Sequence, residues 1–223
     1  MAAHDVPEYK LQDIERIAHD FLAKYWDPSE RWVDIETIIE RDMGLLIDYS
    51  AIDSFHAIGG VARRTSDDRL VILVSEELAD RDPNRYRFTL AQELSHLLLH
   101  REILDAIRTP GQALDFHNSL TPEQYRHLES DANRCAGAIL MPQRQFKDAA
   151  HDAYELWFAR ITATVGKLDP DFFLKRVIDE LAKLYQVSAQ AARIRLQSWP
   201  IRLYQDILES ARKHQPSIAP GWS

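Results

Sequence analysis

Residues 87–100, RFTLAQELSHLLLH, constrain the fold more than any other stretch. They belong to a predicted helix running from Arg85 to about Ile107, broken by Thr109-Pro110-Gly111. On a helix Gln92 and His96 are i and i+4, so both point to one side, one turn apart. Glu93 sits about 100° round from Gln92. A helix with these residues must give its polar side either to solvent or to a neighbour that can satisfy it. Solvent is the commoner fate of an isolated E-x-x-H.

A second segment argues for the neighbour. In residues 129–142, ESDANRCAGAILMP, the residues Glu129, Ala132, Asn133 and Ala136 fall on one stripe of a helix. A carboxylate is thus set among small residues that let two helices approach closely. Such a carboxylate costs several kcal/mol unless it is paired or bound to a metal. Its plain reading is a salt bridge or hydrogen bond to a neighbouring helix. The functional reading comes from the first segment, which has the geometry of the H-E-x-x-H zinc motif. There two imidazoles one turn apart hold the metal, and the Glu takes a proton from the metal-bound water. Here Gln92 stands where the first imidazole belongs. An amide oxygen is a weak zinc ligand, since zinc prefers nitrogen, sulfur and carboxylate donors.

The rest of the chain supplies a frame for these two helices. Ile14, Ile17, Ala18, Phe21, Leu22 and Tyr25 mark the buried face of a first helix, which Pro28 ends. Asp34 is placed to cap a second helix, burying Ile35, Ile38 and Ile39 and stopping at Gly44. Residues 45–49, 60–64 and 70–74 read as strands of a small antiparallel sheet, with 70–74 the best buried and a hairpin turn at Ser66-Asp67-Asp68. Thr121-Pro122-Glu123-Gln124 starts another helix, which should bury Tyr125, Leu128, Ala132, Cys135, Ala136 and Ile139. Further helices fall near 143–160, 171–185, 189–198 and 201–213, and the tail from Gln215 has little pattern.

Composition excludes several classes. One cysteine among 223 residues rules out an intramolecular disulfide framework, and Cys135 reads as a small core residue. No apolar run approaches the roughly 20 residues that span a bilayer, and no secretory signal is visible at the N-terminus, so a cytoplasmic protein is expected. The net charge is −8, but residues 171–213 carry eight basic against five acidic side chains. Residues 174–196 look like a helix-turn-helix, yet Asp179 and Glu180 dilute the positive charge and no Arg-rich face emerges. Direct nucleic-acid binding is not expected; a helical hairpin closing a core is the preferred reading.

Arg87-Phe88-Thr89-Leu90-Ala91, the E-x-x-H core, His100, and Glu129-x-x-Ala132-Asn133 followed by Leu140-Met141-Pro142 resemble, in order and spacing, the ImmA/IrrE family of metallo-endopeptidases. The resemblance takes in Val33-Asp34-Ile35 with Gly44, and Leu181-Ala182 with Val187-Ser188, covering most of residues 10–200. It implies an α+β, zincin-like fold, mainly helical, with a small antiparallel sheet of about three strands and a helical C-terminal extension. Residues 1–168 would form the peptidase-type domain, 169–213 a helix-turn-helix-like extension and 214–223 a loose tail. The family pattern makes Glu93 the general base, His96 the second zinc ligand and Glu129 the third, with Asp131 the fallback if that helix is misregistered. Gln92 takes the first ligand position as a weak ligand, so zinc is expected to be weakly held or absent. His100 is normally a supporting residue, and His117 and His127 read as surface histidines. The implied substrate is a partner repressor or antitoxin, in transcription regulation, stress response or a mobile element such as a phage. Two functions follow: a metal-dependent endopeptidase acting on that partner, or a catalytically inactive zincin-like binding or sensor module that regulates it without hydrolysis.

Overall fold

The computed structural model describes residues 6–49, 59–63, 69–164 and 168–213. The chain forms two compact units, Met1–Leu140 and Met141–Ser223. The first is built from helix α1 (Leu11–Tyr25), the short helix α2 (Ile35–Thr37) continuing as a π-turn (Ile38–Asp42), strands β1 (Leu46–Asp48), β2 (Gly59–Arg63) and β3 (Leu70–Val74), and helices α3 (Glu76–Arg81), α4 (Pro83–Leu99), α5 (Arg101–Ala106), α6 (Pro110–Ser119) and α7 (Pro122–Leu140).

Local chemistry explains these boundaries. Asp34 caps α2, its carboxylate accepting from the Thr37 N–H at 3.2 Å, and Gly44 supplies the left-handed backbone (φ 64°) after the π-turn. Asp82 accepts from the Arg85 N–H at 3.0 Å and Pro83 occupies the first turn, so α4 starts at a well-made cap. At the start of α7 the reciprocal cap foreseen from the sequence is present. Gln124 N–H donates to Thr121 Oγ1 at 3.2 Å, and Thr121 N–H donates to Gln124 Oε1 at 2.9 Å. The turn expected at Ser66-Asp67-Asp68 and the tail from Gln215 lie outside the described residues.

Strand β3 lies in the middle of the sheet, in the order β1-β3-β2. It pairs antiparallel with β2, Val61 opposite Ile72, but parallel with β1, Ile47 opposite Ile72. The sheet is therefore mixed, correcting the antiparallel expectation. Strand periodicity carries no information on direction, and a parallel pair needs only a long crossover, which the chain between β1 and β3 supplies. Having partners on both sides, β3 is almost wholly buried, as its continuous apolar run required.

Helix α4 packs on β2, β3, α3 and, most extensively, on α7, whose other side takes α1. Ala132 and Ala136 are fully buried in α7, and Leu90, Ala91 and Leu94 in α4. Small side chains at this contact let the two helices come close. Arg87, also buried, donates through Nη2 to the Val33 carbonyl at 2.9 Å, and its guanidinium lies 4.7 Å from the Trp32 ring. The bond and the ring face compensate part of the cost of burying that charge.

Three further differences from the sequence expectation stand out. The long helix expected to Ile107 breaks at His100, giving α4 and α5. Helix α6 was not foreseen: Thr109 and Gln112 form a capping box, so Thr109-Pro110-Gly111 starts a helix as well as ending one. Tyr125, expected to be buried, is 44% exposed.

The second unit holds α8 (Gln143–Thr164), α9 (Pro170–Tyr185), α10 (Ala189–Gln197) and α11 (Tyr204–Lys213). Helix α9 is its centre, contacting the other three, with Phe173, Val177 and Leu181 fully buried. Gln186 takes a left-handed conformation (φ 52°) and Ser188 caps α10, so the turn between α9 and α10 is short. Arg195 is buried and donates to the Met141 carbonyl at 3.1 Å, which withdraws one positive charge from the surface. No helix among the described residues is long and apolar enough to cross a membrane.

Ile72→Ala, in the central strand, should lower the unfolding free energy by about 2–5 kcal/mol, read from urea denaturation. Leu114→Ala, on the exposed face of α6, should stay within about 0.5 kcal/mol of the parent.

Candidate functional site

The α4–α7 contact brings the two sequence segments together. Gln92 Nε2 donates to Glu129 Oε2 at 2.9 Å, and His96 Nε2 lies 3.6 Å from Glu129 Oε1. The His96 and Glu129 side chains are 17% and 33% exposed, so the meeting point is at the edge of the core and reachable from outside. Asp131 is elsewhere. It is buried on another side of α7, bonded by Arg134 Nη1 at 3.3 Å and by the Tyr9 backbone N–H. Two residues along a helix is a rotation of about 200°, so once Ala132 faces α4, Glu129 is aimed at the site and Asp131 is not. Asn133 is exposed and bonds its own helix, donating to the Glu129 carbonyl at 2.7 Å.

Electrostatics single out Glu93. Its carboxyl is buried on α4, and burial first, then the neighbouring Glu129 charge, pushes its pKa up to about 8. It is held mainly protonated near neutral pH, in the range that suits a group giving and taking protons. Glu129 is also raised by burial, an effect opposed by the Gln92 hydrogen bond. Desolvation lowers His96 to about 4, and His100 to about 4 with a smaller contribution from His96. Both imidazoles are therefore neutral.

The remaining candidates separate cleanly. His100 is 3% exposed and its Nδ1 lies 3.1 Å from His96 Nδ1, the i, i+4 pair that the spacing allowed. His127 is exposed and lies 3.8 Å from Glu123 at the surface. His117 stands edge-on to Tyr125, ring centroids 5.4 Å apart. Tyr125 is one turn before Glu129 and its phenol is raised chiefly by the Glu129 charge, so it borders the site. Its role was hidden by its apolar spacing, which suggested core. Cys135 is buried and its thiol is pushed up to about 12, consistent with an inert core residue. Tyr9, whose hydroxyl donates to the Leu99 carbonyl and whose ring is 6.2 Å from His100, backs the site from the N-terminal segment; no motif pointed to it.

Zinc needs three or four nitrogen, sulfur or carboxylate donors around one point. This site offers one imidazole and one carboxylate, and the carboxylate already accepts an N–H from Gln92. Among the described residues no group of three His, Cys, Asp or Glu side chains is arranged to hold a metal ion. The donor set does not fit a tightly held zinc.

Because Glu93 titrates near 8 when folded and near the ordinary 4.5 when unfolded, the folded state loses stability as pH rises between those values. Glu93→Gln removes the charge that must be buried. Urea midpoints at about pH 5 and about pH 9 should converge in this variant, which should be the more stable form at the higher pH.

Comparison with known proteins places this geometry. The family model for the IrrE N-terminal-like domain, Peptidase_M78, matches residues 50–197. No curated protein matches the chain. A solved Mycobacterium tuberculosis transcriptional regulator is similar in fold, with a TM-score of 0.51 and 16% identity. The match covers 84% of this chain and 47% of that one, so the chain spans about half the regulator's length. The mainly helical body, the three-stranded sheet and the E-x-x-H helix against the Glu129 helix all lie within or beside the matched span, and the chain belongs to the IrrE N-terminal-like (Peptidase_M78) family.

Proposed function

We propose that this chain is a metallopeptidase-fold regulator that acts by engaging a partner regulatory protein, a repressor or antitoxin, without zinc-dependent hydrolysis. The observation that carries this reading is the 2.9 Å bond from the Gln92 amide to Glu129. It puts a hydrogen-bond donor where hydrolysis needs a metal ligand, and it engages the carboxylate that would be the third ligand. Losing a well-placed supporting partner of a metal ligand costs about 10–100-fold in affinity, and losing a ligand costs more. Support for a protein partner comes from exposed apolar surface: Leu114 on α6 is 60% and Tyr125 44% exposed, and α6 has no buried residue among those described. Exposed apolar and aromatic side chains of this kind are what a protein interface covers.

A metal-dependent endopeptidase is the second reading, favoured by the convergence of His96, Glu129 and the neutral-range Glu93. In it Glu93 holds and returns the proton at the reacting peptide, and Tyr125 lines the approach.

Elemental analysis of the purified full chain should find substoichiometric zinc, and calorimetric titration should find weak binding. One tightly held zinc per chain would overturn the first reading. Gln92→His should raise zinc affinity by at least about 10–100-fold. If the chain cleaves a partner, Glu93→Gln should abolish cleavage while leaving the circular dichroism spectrum unchanged.

A further inference from the structure

We infer that His100 is a positioning residue that holds the proton of His96 on Nε2, so that a row of polar side chains, His100–His96–Glu129–Gln92, stands in place of a metal ion. The geometry of three groups leads to this. His96 Nδ1 and His100 Nδ1 are 3.1 Å apart, a contact that needs one N–H between the two nitrogens, so one Nδ1 donates and the other accepts. The far nitrogen of His100, Nε2, is buried with no hydrogen-bond partner among the described residues. If His100 Nδ1 accepted, its proton would be on that Nε2, leaving a buried N–H without an acceptor, an arrangement proteins rarely keep. If His100 Nδ1–H donates, Nε2 carries only an unshared lone pair, the milder fault.

The other end of the chain selects the same state. With its Nδ1 accepting from His100, His96 carries its proton on Nε2, the atom 3.6 Å from Glu129 Oε1. An N–H then faces the carboxylate. The opposite tautomer would turn a nitrogen lone pair toward carboxylate oxygens with no cation between them. Glu129 thus accepts an N–H from Gln92 on Oε2 at 2.9 Å and has the His96 Nε2 facing Oε1 at 3.6 Å.

The consequence concerns the imidazole that the motif reserves for a ligand. To offer the Nε2 lone pair, His96 must move its proton to Nδ1. That forces His100 to accept there and to place its own proton on the partnerless Nε2. His100 therefore opposes the ligand form of His96 independently of Gln92. His100 is 3% exposed, and the neighbouring Tyr9 hydroxyl already donates to the Leu99 carbonyl.

The test is a long-range proton–nitrogen correlation spectrum of the 15N-labelled full chain, treated with chelator, which reports the tautomer of each histidine. The wild-type protein should show His96 protonated on Nε2 and His100 on Nδ1; His96 protonated on Nδ1 would overturn the inference. His100→Asn keeps an amide donor near the Nδ1 position and should preserve the His96 tautomer. His100→Leu removes the donor, and His96 should then populate both tautomers. An unchanged His96 spectrum in a folded His100→Leu variant would also overturn it. Should that variant not fold, the wild-type and His100→Asn spectra decide alone. The readout needs neither partner nor zinc, so it stands apart from the functional reading.

Discussion

The close approach of α4 and α7 is the constraint on which the rest of the structure depends. Ala91 on α4 and Ala132 and Ala136 on α7 are fully buried, and small side chains of this kind let two helices pack closely. Core packing at this density leaves no freedom to rotate either helix without opening a void. That rigidity aims Glu129 at Gln92 and His96 and turns Asp131 toward the N-terminal segment. A bulky residue at any of the three alanines would separate the polar groups while leaving each helix intact.

Around that contact the polar groups engage one another. The Gln92 amide donates to Glu129, His100 contacts His96, and burial pushes the Glu93 carboxyl up into the neutral range. A site poised for a cation has its lone pairs directed at a common empty point. Here the Gln92 N–H is directed at a Glu129 oxygen. An amide at position 92 brings both a donor and a poor zinc ligand to that point.

Much of this was legible from local patterns. The caps at Asp34 and Thr121, the left-handed Gly44 and the buried strand 70–74 follow from short-range chemistry that operates wherever those residues occur. Helix α6 shows how the same rules can mislead. Thr109-Pro110-Gly111 looks like a breaker, yet Thr and Pro are also good starters, and Gln112 decided between the two. Tyr125 shows another limit. Helical spacing placed it on the face of Leu128 and Ala132, but it lies near the helix start, where the His117 ring edge is a neighbour and 44% of it stays exposed.

By itself the sequence determined which residues share a helix face, since i, i+4 neighbours are fixed by helix geometry: Gln92 with His96, His96 with His100, Tyr125 with Glu129. It also determined that a carboxylate and an imidazole sat in segments matching one family. Only the tertiary structure decided that Glu129 meets Gln92, 37 positions away along the chain, that β1 runs parallel to β3, and that His100 Nε2 is left without a partner among the described residues. Those outcomes depend on how separate elements pack. Packing is set by the summed shapes of many side chains, which no short stretch of chain contains.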